Sequence, residues 1–279
     1  MIASRVIEIR PLHIASELRQ CQEVQRHAWG ITDDGYVVPV ATLAAAAAYG
    51  GLVLGALDNG RVVGFAFAFR GVVDGTPCLY SQLTGVLPET QGSGIGRRIK
   101  AAQRIWAREQ GLPSIVWAFD PMQAMNAHYN LVALGATATH YHPDFYGPRA
   151  DALNHGLPTD RLIAVWPTTD LPPSRPMPVT ETAVALLTSH EAAGGGRVPA
   201  PQPWQAADVL SIEIPADLAA LHDRSEHIAA WQEAIRQAFT RAFAEGYTAV
   251  SFARGDRPRY FLVREGERLN HKDTETQRR

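Results

Sequence analysis

The most constraining feature of this 279-residue chain is a glycine-rich loop set between the end of a strand and the start of a helix. The strand end Thr84-Gly85-Val86-Leu87-Pro88 runs into Gln91-Gly92-Ser93-Gly94-Ile95-Gly96, and a helix is predicted from Arg97 to Gln110. Such a loop suits a phosphate group. The first N–H groups of a helix have no intrahelical partner, and the macrodipole adds positive potential there. Glycine admits positive φ and close backbone approach. A P-loop would end in Gly-Lys-Ser/Thr, whereas this one ends Gly96-Arg97-Arg98. A dinucleotide fingerprint counted from Gly92 would place its last glycine at Arg97, and it belongs after a first strand rather than a fourth. On the loop alone, a plain structural turn stays open.

The elements around the loop predict a mixed α/β sheet. Strands are expected at Val6–Arg10, Gly51–Leu57, Arg61–Arg70 and Cys78–Leu87, with a tight turn at Asp58-Asn59-Gly60. Helices are expected at Ser16–Trp29 and Ala41–Tyr49. Beyond the loop come a strand at Ser114–Phe119, a helix at Gln123–Leu134, and strands at Ala136–Tyr141 and Arg161–Trp166. Residues 1–167 are thus expected as one domain. The Pro- and Gly-rich stretch 168–208 is expected as a linker, in which Ala183–Thr188 forms either a strand or a helical turn. Residues 209–279 are expected as a small α/β unit packing on the first domain. It has a strand at Val209–Ile214, a helix at Ile228–Glu245, a hairpin made by Thr248–Arg254 and Arg259–Val263, and a polar tail after Glu265.

Composition narrows the function classes. A net charge of -2 and a pI near 6.6 give no electrostatic footprint for nucleic acid. No run of about 18 apolar residues predicts a membrane span, and the charged start of the chain (Arg5, Glu8, Arg10) does not resemble a signal peptide, so a cytoplasmic protein is expected. Cys21 and Cys78 are expected as buried thiols rather than a disulfide. No spacing of His, Cys, Asp or Glu suggests a metal, and no Gly-x-Ser-x-Gly suggests a serine hydrolase.

The pattern Val86-x-Pro88-x-x-Gln91-x-x-Gly94-x-Gly96 resembles the acyl-CoA loop of the GNAT acyltransferase superfamily. The run from Asn126 to Ala136 resembles the next motif of that superfamily, a helix ending in Leu-Gly, and the resemblance covers about residues 6 to 166. Trp117-Ala118-Phe119-Asp120-Pro121 and Pro143–Gly147 look like a longer subgroup, whose extra C-terminal region resembles Ile214–Asp217 and the helix after it. The resemblance implies a mostly antiparallel mixed sheet flanked by helices, and acyl transfer from acetyl-CoA to a primary amine of a small molecule such as an amino acid. A succinyl-CoA-type amino-acid acyltransferase, a non-catalytic acyl-CoA-binding module and a protein-modifying enzyme are the alternatives.

By the same resemblance, Val86 and Leu87 hold the pantetheine, and Gln91, Gly92, Ser93, Gly94, Ile95 and Gly96 hold the pyrophosphate, with Arg97 and Asn126 as further CoA contacts. Asp120 orients the amine or accepts its proton through water; its alternative role is a helix N-cap. Many members carry a thiol-protonating tyrosine where this chain has Leu131. Tyr129 is the first substitute, with His128, Tyr141 and Tyr146 behind it, although a regular helix would turn Tyr129 about 200° away from Leu131. Glu89 is a candidate base, and Arg149, Arg254 and Arg257 are candidates for holding a carboxylate acceptor. The C-terminal unit is expected to shape the acceptor site or a subunit contact, the latter making a homodimer.

Overall fold

The computed structural model describes residues 6–147, 158–169, 182–192, 195–221 and 224–264. These divide into two units, one of residues 6–118 and 165–169, the other of residues 119–147, 158–164, 182–192, 195–221 and 224–264. The fold is mixed α/β, with a mostly antiparallel sheet flanked by helices.

The first unit runs β1 (Ile7–Pro11), α1 (Ala15–Trp29), α2 (Val40–Ala48), β2 (Leu52–Asp58), β3 (Arg61–Val73), β4 (Thr76–Val86), α3 (Ile95–Glu109) and then β5 (Ser114–Phe119) up to Ala118. The strands lie in the order β1-β2-β3-β4-β5; the first three ladders are antiparallel and β4–β5 is parallel. Both hairpin turns place two residues at positive φ, Asn59 with Gly60 and Asp74 with Gly75, which matches the right-handed twist of the strands they join. The second turn was not expected, because β3 and β4 extend past Arg70 and before Cys78.

Alternation along β3 assigns the two faces. Phe65 meets Trp29 of α1 edge-on at 6.3 Å. Its neighbour Gly64 faces α3, where a Cβ would come within 3.2 Å of Ile95 Cγ2, so glycine lets the helix lie close. The stripe of α3 that packs on the sheet holds Ile95, Ile99 and Ala107, and also Lys100 and Gln103. Cys21 and Cys78 are buried free thiols, and burial pushes the Cys21 thiol up to about 12.

The second unit contains α4 (Ala124–His128), β6 (Thr137–His142), residues 161–164 of β7 (Arg161–Pro167), β8 (Val184–Glu191), β9 (Arg197–Pro201), β10 (Val209–Glu213), α5 (Ser225–Ala244), β11 (Tyr247–Ala253) and β12 (Arg259–Arg264). Its strand order is β7-β6-β11-β12-β10-β8-β9. Trp231 and Phe239 of α5 are fully buried, with Phe239 meeting Tyr260 edge-on at 5.0 Å. Part of the stretch expected as a linker is therefore sheet. β8 pairs in parallel with β10, and β9 closes the row as an edge strand, where Pro199 and Pro201 cost no ladder bond on the open side.

The expected helix Gln123–Leu134 is not one regular helix. After α4 the chain widens into a π-helical turn at Tyr129–Ala133, in which Leu134 N–H bonds back to Tyr129 O at 2.9 Å. The angle expected between Tyr129 and Leu131 rested on 3.6 residues per turn and does not hold there. No helix among the described residues is long and apolar enough to cross a membrane.

Candidate active site

The loop after β4 is held by its own backbone and short side chains. Leu87 N–H donates to Val63 O at 2.9 Å, and Leu87 O accepts from both Thr90 N–H (2.9 Å) and Thr90 Oγ1 (3.0 Å). The Leu87 N–H and C=O thus both bond within the protein, and its side chain is buried. Gln91 Nε2 turns back to Val86 O at 3.2 Å, and Ser93 Oγ donates to Thr90 O at 2.5 Å. Gln91 ties the loop to the strand, and Ser93 closes the loop on itself.

Gly92 and Gly94 sit at φ 77° and 82°, where an L side chain is strained, and Gly94 caps α3 without a side-chain bond. The first intrahelical bond is Arg98 N–H to Gly94 O, 3.1 Å. The amides of Ile95, Gly96 and Arg97 precede it and have no intrahelical acceptor. Gly96 is helical, and a Cβ there would meet only Val86 Cγ2 at 3.9 Å, so packing does not require this glycine. Arg98 Nη2 donates to Ile7 O at 2.7 Å, while Arg97 is exposed, which leaves Arg97 as the arginine better placed for an incoming anion.

β4 and β5 pair at only two positions, Leu79 with Ile115 and Tyr80 with Val116. Beyond them the strands part, so the edge of β4 from Ser81 to Val86 has no β5 ladder. Opposite Phe67 and Ala68, β4 carries an extra residue, Gln82, in a bulge. Thr84 Oγ1, on the same stretch, is buried without a hydrogen-bond partner among the described residues. On the α1–α2 side lies an open cavity of about 880 Å3, lined by Val37, Pro39, Ala45, Phe67, Phe69 and Gln82 among others.

The remaining expected residues lie in the second unit. Asp120 Oδ1 accepts Met122 N–H at 2.8 Å in an Asx turn, but α4 starts at Ala124 with Gln123 as its cap, so Asp120 is not the helix N-cap. Burial raises the Asp120 carboxyl above its ordinary range, against the lowering pull of the Met122 N–H. Asn126 is exposed on α4, and Tyr129 opens the π-helical turn, half-buried. Tyr141 Oη donates to Asp160 Oδ2 at 2.6 Å, which ties up that hydroxyl. Glu89 pairs with Arg61 at 3.1 Å and is held below its usual range, first by its own backbone N–H, which makes it a poor base. Arg257 pairs with Glu213 at 2.7 Å, Arg254 is exposed, and Arg149 lies outside the described residues. The sequence reading missed Lys100. Only 7% exposed, it donates to Ser81 Oγ at 2.9 Å, and its Nζ lies 4.2 Å from the Trp117 ring centre. Its spacing in the stripe Lys100, Gln103, Ala107 was the available signal.

Residues 13–130 match the model of the acetyltransferase (GNAT) family. Among solved structures, the ribosomal-protein-S18-alanine N-acetyltransferase of Escherichia coli is 18% identical, with a TM-score of 0.47 over 62% of this chain and 100% of that one. The yncA protein of Salmonella typhimurium, solved with acetyl-CoA, is 22% identical, with a TM-score of 0.47 over 61% and 98%. The paia N-acetyltransferase of Thermoplasma acidophilum, in complex with coenzyme A, is 15% identical, with a TM-score of 0.43 over 58% and 99%. No curated protein matches. The strand–loop–helix and the parted strands fit an acyltransferase that takes its acyl group from acyl-CoA. The match over residues 13–130 supports an N-acetyltransferase of the GNAT type.

Proposed function

We propose that this enzyme transfers an acetyl group from acetyl-CoA to the primary amine of a small molecule with an apolar body. The observation that carries the donor half is the conjunction of the Ile95–Arg97 amides with the unladdered edge of β4. The amides suit the pyrophosphate, and the strand edge suits the two amides of a pantetheine arm. The orphan Thr84 Oγ1 fits the same reading, since a buried hydroxyl without a partner costs about 1–3 kcal/mol and an occupied groove offers one.

The acceptor half rests on the cavity by α2. Its volume of about 880 Å3 is in the range of small-molecule pockets, and aliphatic and aromatic side chains supply most of its lining. Gln82, on the β4 bulge, is a polar group of that lining able to orient an amine.

When bound, acetyl-CoA supplies an activated acyl carbon. The chain must hold it, exclude water, remove a proton from the amine and return one to sulphur. Asp120 is proposed for the amine proton, acting through water. Tyr129 is proposed, on the sequence resemblance, as a donor to sulphur, and a second donor in the first unit competes with it.

Titration calorimetry with CoA tests the donor half. The wild-type protein is expected to bind, and a folded Gly94→Glu variant to bind weakly, because the new carboxylate meets a phosphate. Equal affinity for the two would overturn the loop assignment. Turnover of acetyl-CoA with a panel of amines tests the acceptor half: aromatic and aliphatic amines are expected to be preferred over polycationic ones.

A further inference from the structure

We propose that Lys100 is a catalytic residue of this acyl transfer, its Nζ meeting the thioester sulphur where β4 and β5 part and giving the leaving thiolate its proton. The inference rests on the acyl-CoA reading above and adds to it the group that handles the sulphur.

The geometry begins at the fork. Tyr80 and Val116 are the last paired residues of β4 and β5, and Ser81 and Trp117 are the next residue on each strand. Lys100 touches both, bonding Ser81 Oγ at 2.9 Å and lying over Trp117 with Nζ 4.2 Å from the ring centre. The amine is therefore set at the point where the gap opens. From Val86 back to Ser81, β4 runs about 17 Å at strand rise, the direction in which an extended pantetheine arm travels from a pyrophosphate at the start of α3. Its sulphur end is then brought toward the fork.

The chemistry of the surroundings favours a working group over a packing one. Lys100 occupies a stripe whose other members are Ile95, Ile99, Gln103 and Ala107, where an apolar residue would pack at no desolvation cost. No carboxylate pairs with it among the described residues. Its neighbours are Ser81 on β4, Gln103 on α3, itself bonded to Ser81 Oγ at 3.1 Å, and Trp117 on β5. The charged groups on the other strands of the sheet are Glu8 and Arg10 on β1, Asp58 on β2, and Arg61 and Arg70 on β3; none contributes to its titration. Burial alone brings the ammonium down to about 7, where it gives up a proton readily at working pH.

The step balances. The amine nitrogen bonds to the acyl carbon as the C–S bond breaks, and the electron pair stays on sulphur. One Nζ proton moves to that sulphur, the new amide nitrogen releases its surplus proton to water, and water returns one to Nζ.

The chain has two lysines, Lys100 and Lys272, so full-length protein labelled with 13C at the lysine ε-carbon gives a spectrum assignable with one variant, Lys100→Met. The Lys100 signal is followed against pH in free protein, with CoA, and with desulpho-CoA, while calorimetry reports binding of each. The expected result is that the Lys100 signal and its titration midpoint differ between the CoA and desulpho-CoA complexes, because a thiol can hydrogen-bond the amine and the methyl end of desulpho-CoA cannot. If both bind and the signal responds identically, Lys100 does not meet the sulphur and the proposal is overturned while the acyl-CoA reading stands. If neither binds, the acyl-CoA reading itself falls, and the proposal with it.

Discussion

Arg236 grips Asp160 at two points across 76 residues of sequence, Nε to Oδ2 at 2.9 Å and Nη2 to Oδ1 at 3.0 Å. Tyr141 Oη and Asp144 N–H complete the shell of a carboxylate that is only 2% exposed. The ion pair joins α5 to the segment before β7, within the second unit. Arg236→Met leaves a buried charge without its main partner and is expected to destabilise the protein by about 3–5 kcal/mol. Tyr141→Phe removes one bond to a charged group and should cost about 1.5–3 kcal/mol. Urea unfolding of the two variants checks both values.

Truncation after Thr168 is expected to yield an insoluble or non-cooperatively folding protein. It removes β11, which pairs with β6 at Ala138 and Ala249, and Tyr260, whose hydroxyl donates to Pro121 O at 2.8 Å. A soluble fragment with full activity would show that residues 119–147 hold their form without the C-terminal strands.

Gly96→Ala should separate stability from binding. Ala is favoured over Gly in a helix by about 0.8–1 kcal/mol, and a Cβ meets nothing closer than 3.9 Å. The melting temperature is expected to rise while CoA affinity falls, as read by thermal unfolding and calorimetry.

The two candidate sulphur donors make opposite demands. With Lys100 as donor, Lys100→Met lowers kcat by about 10²-fold, the usual scale for such catalysis, with KM for acetyl-CoA little changed, and Tyr129→Phe leaves kcat within about threefold of wild type. The reverse pattern assigns the proton to Tyr129. Initial rates at saturating acetyl-CoA decide between them.

Lys100 also fixes the sign of a stability change with pH. Its folded-state value, about 7, lies below the unfolded 10.5, so between these values the unfolded chain binds more protons. This contribution makes the wild-type protein gain stability as pH rises from about 7 toward 10, whereas below 7 the full cost of the buried ammonium is present. Lys100→Met removes this slope. The variant should be more stable than wild type near pH 6, with the difference shrinking toward pH 10. Denaturant unfolding at several pH values measures it.

The sequence by itself determined the elements whose signals are local. The loop Gln91–Gly96 could be read because its glycines carry positive φ at Gly92 and Gly94 and open a helix. The strands of the first unit could be read from apolar runs, and the turn at Asn59-Gly60 from turn chemistry. Tertiary structure decided the rest. Prolines 199 and 201 argue against a strand until β9 is known to be an edge. The widened turn at Tyr129–Ala133 has no local code, because it depends on how the backbone bonds beyond one regular turn. Lys100 looks like any helical lysine in the sequence; only the packing of α3 over Ser81 and Trp117 strips its water, and desolvation in a fold is what turns an ordinary ammonium into one that titrates near 7.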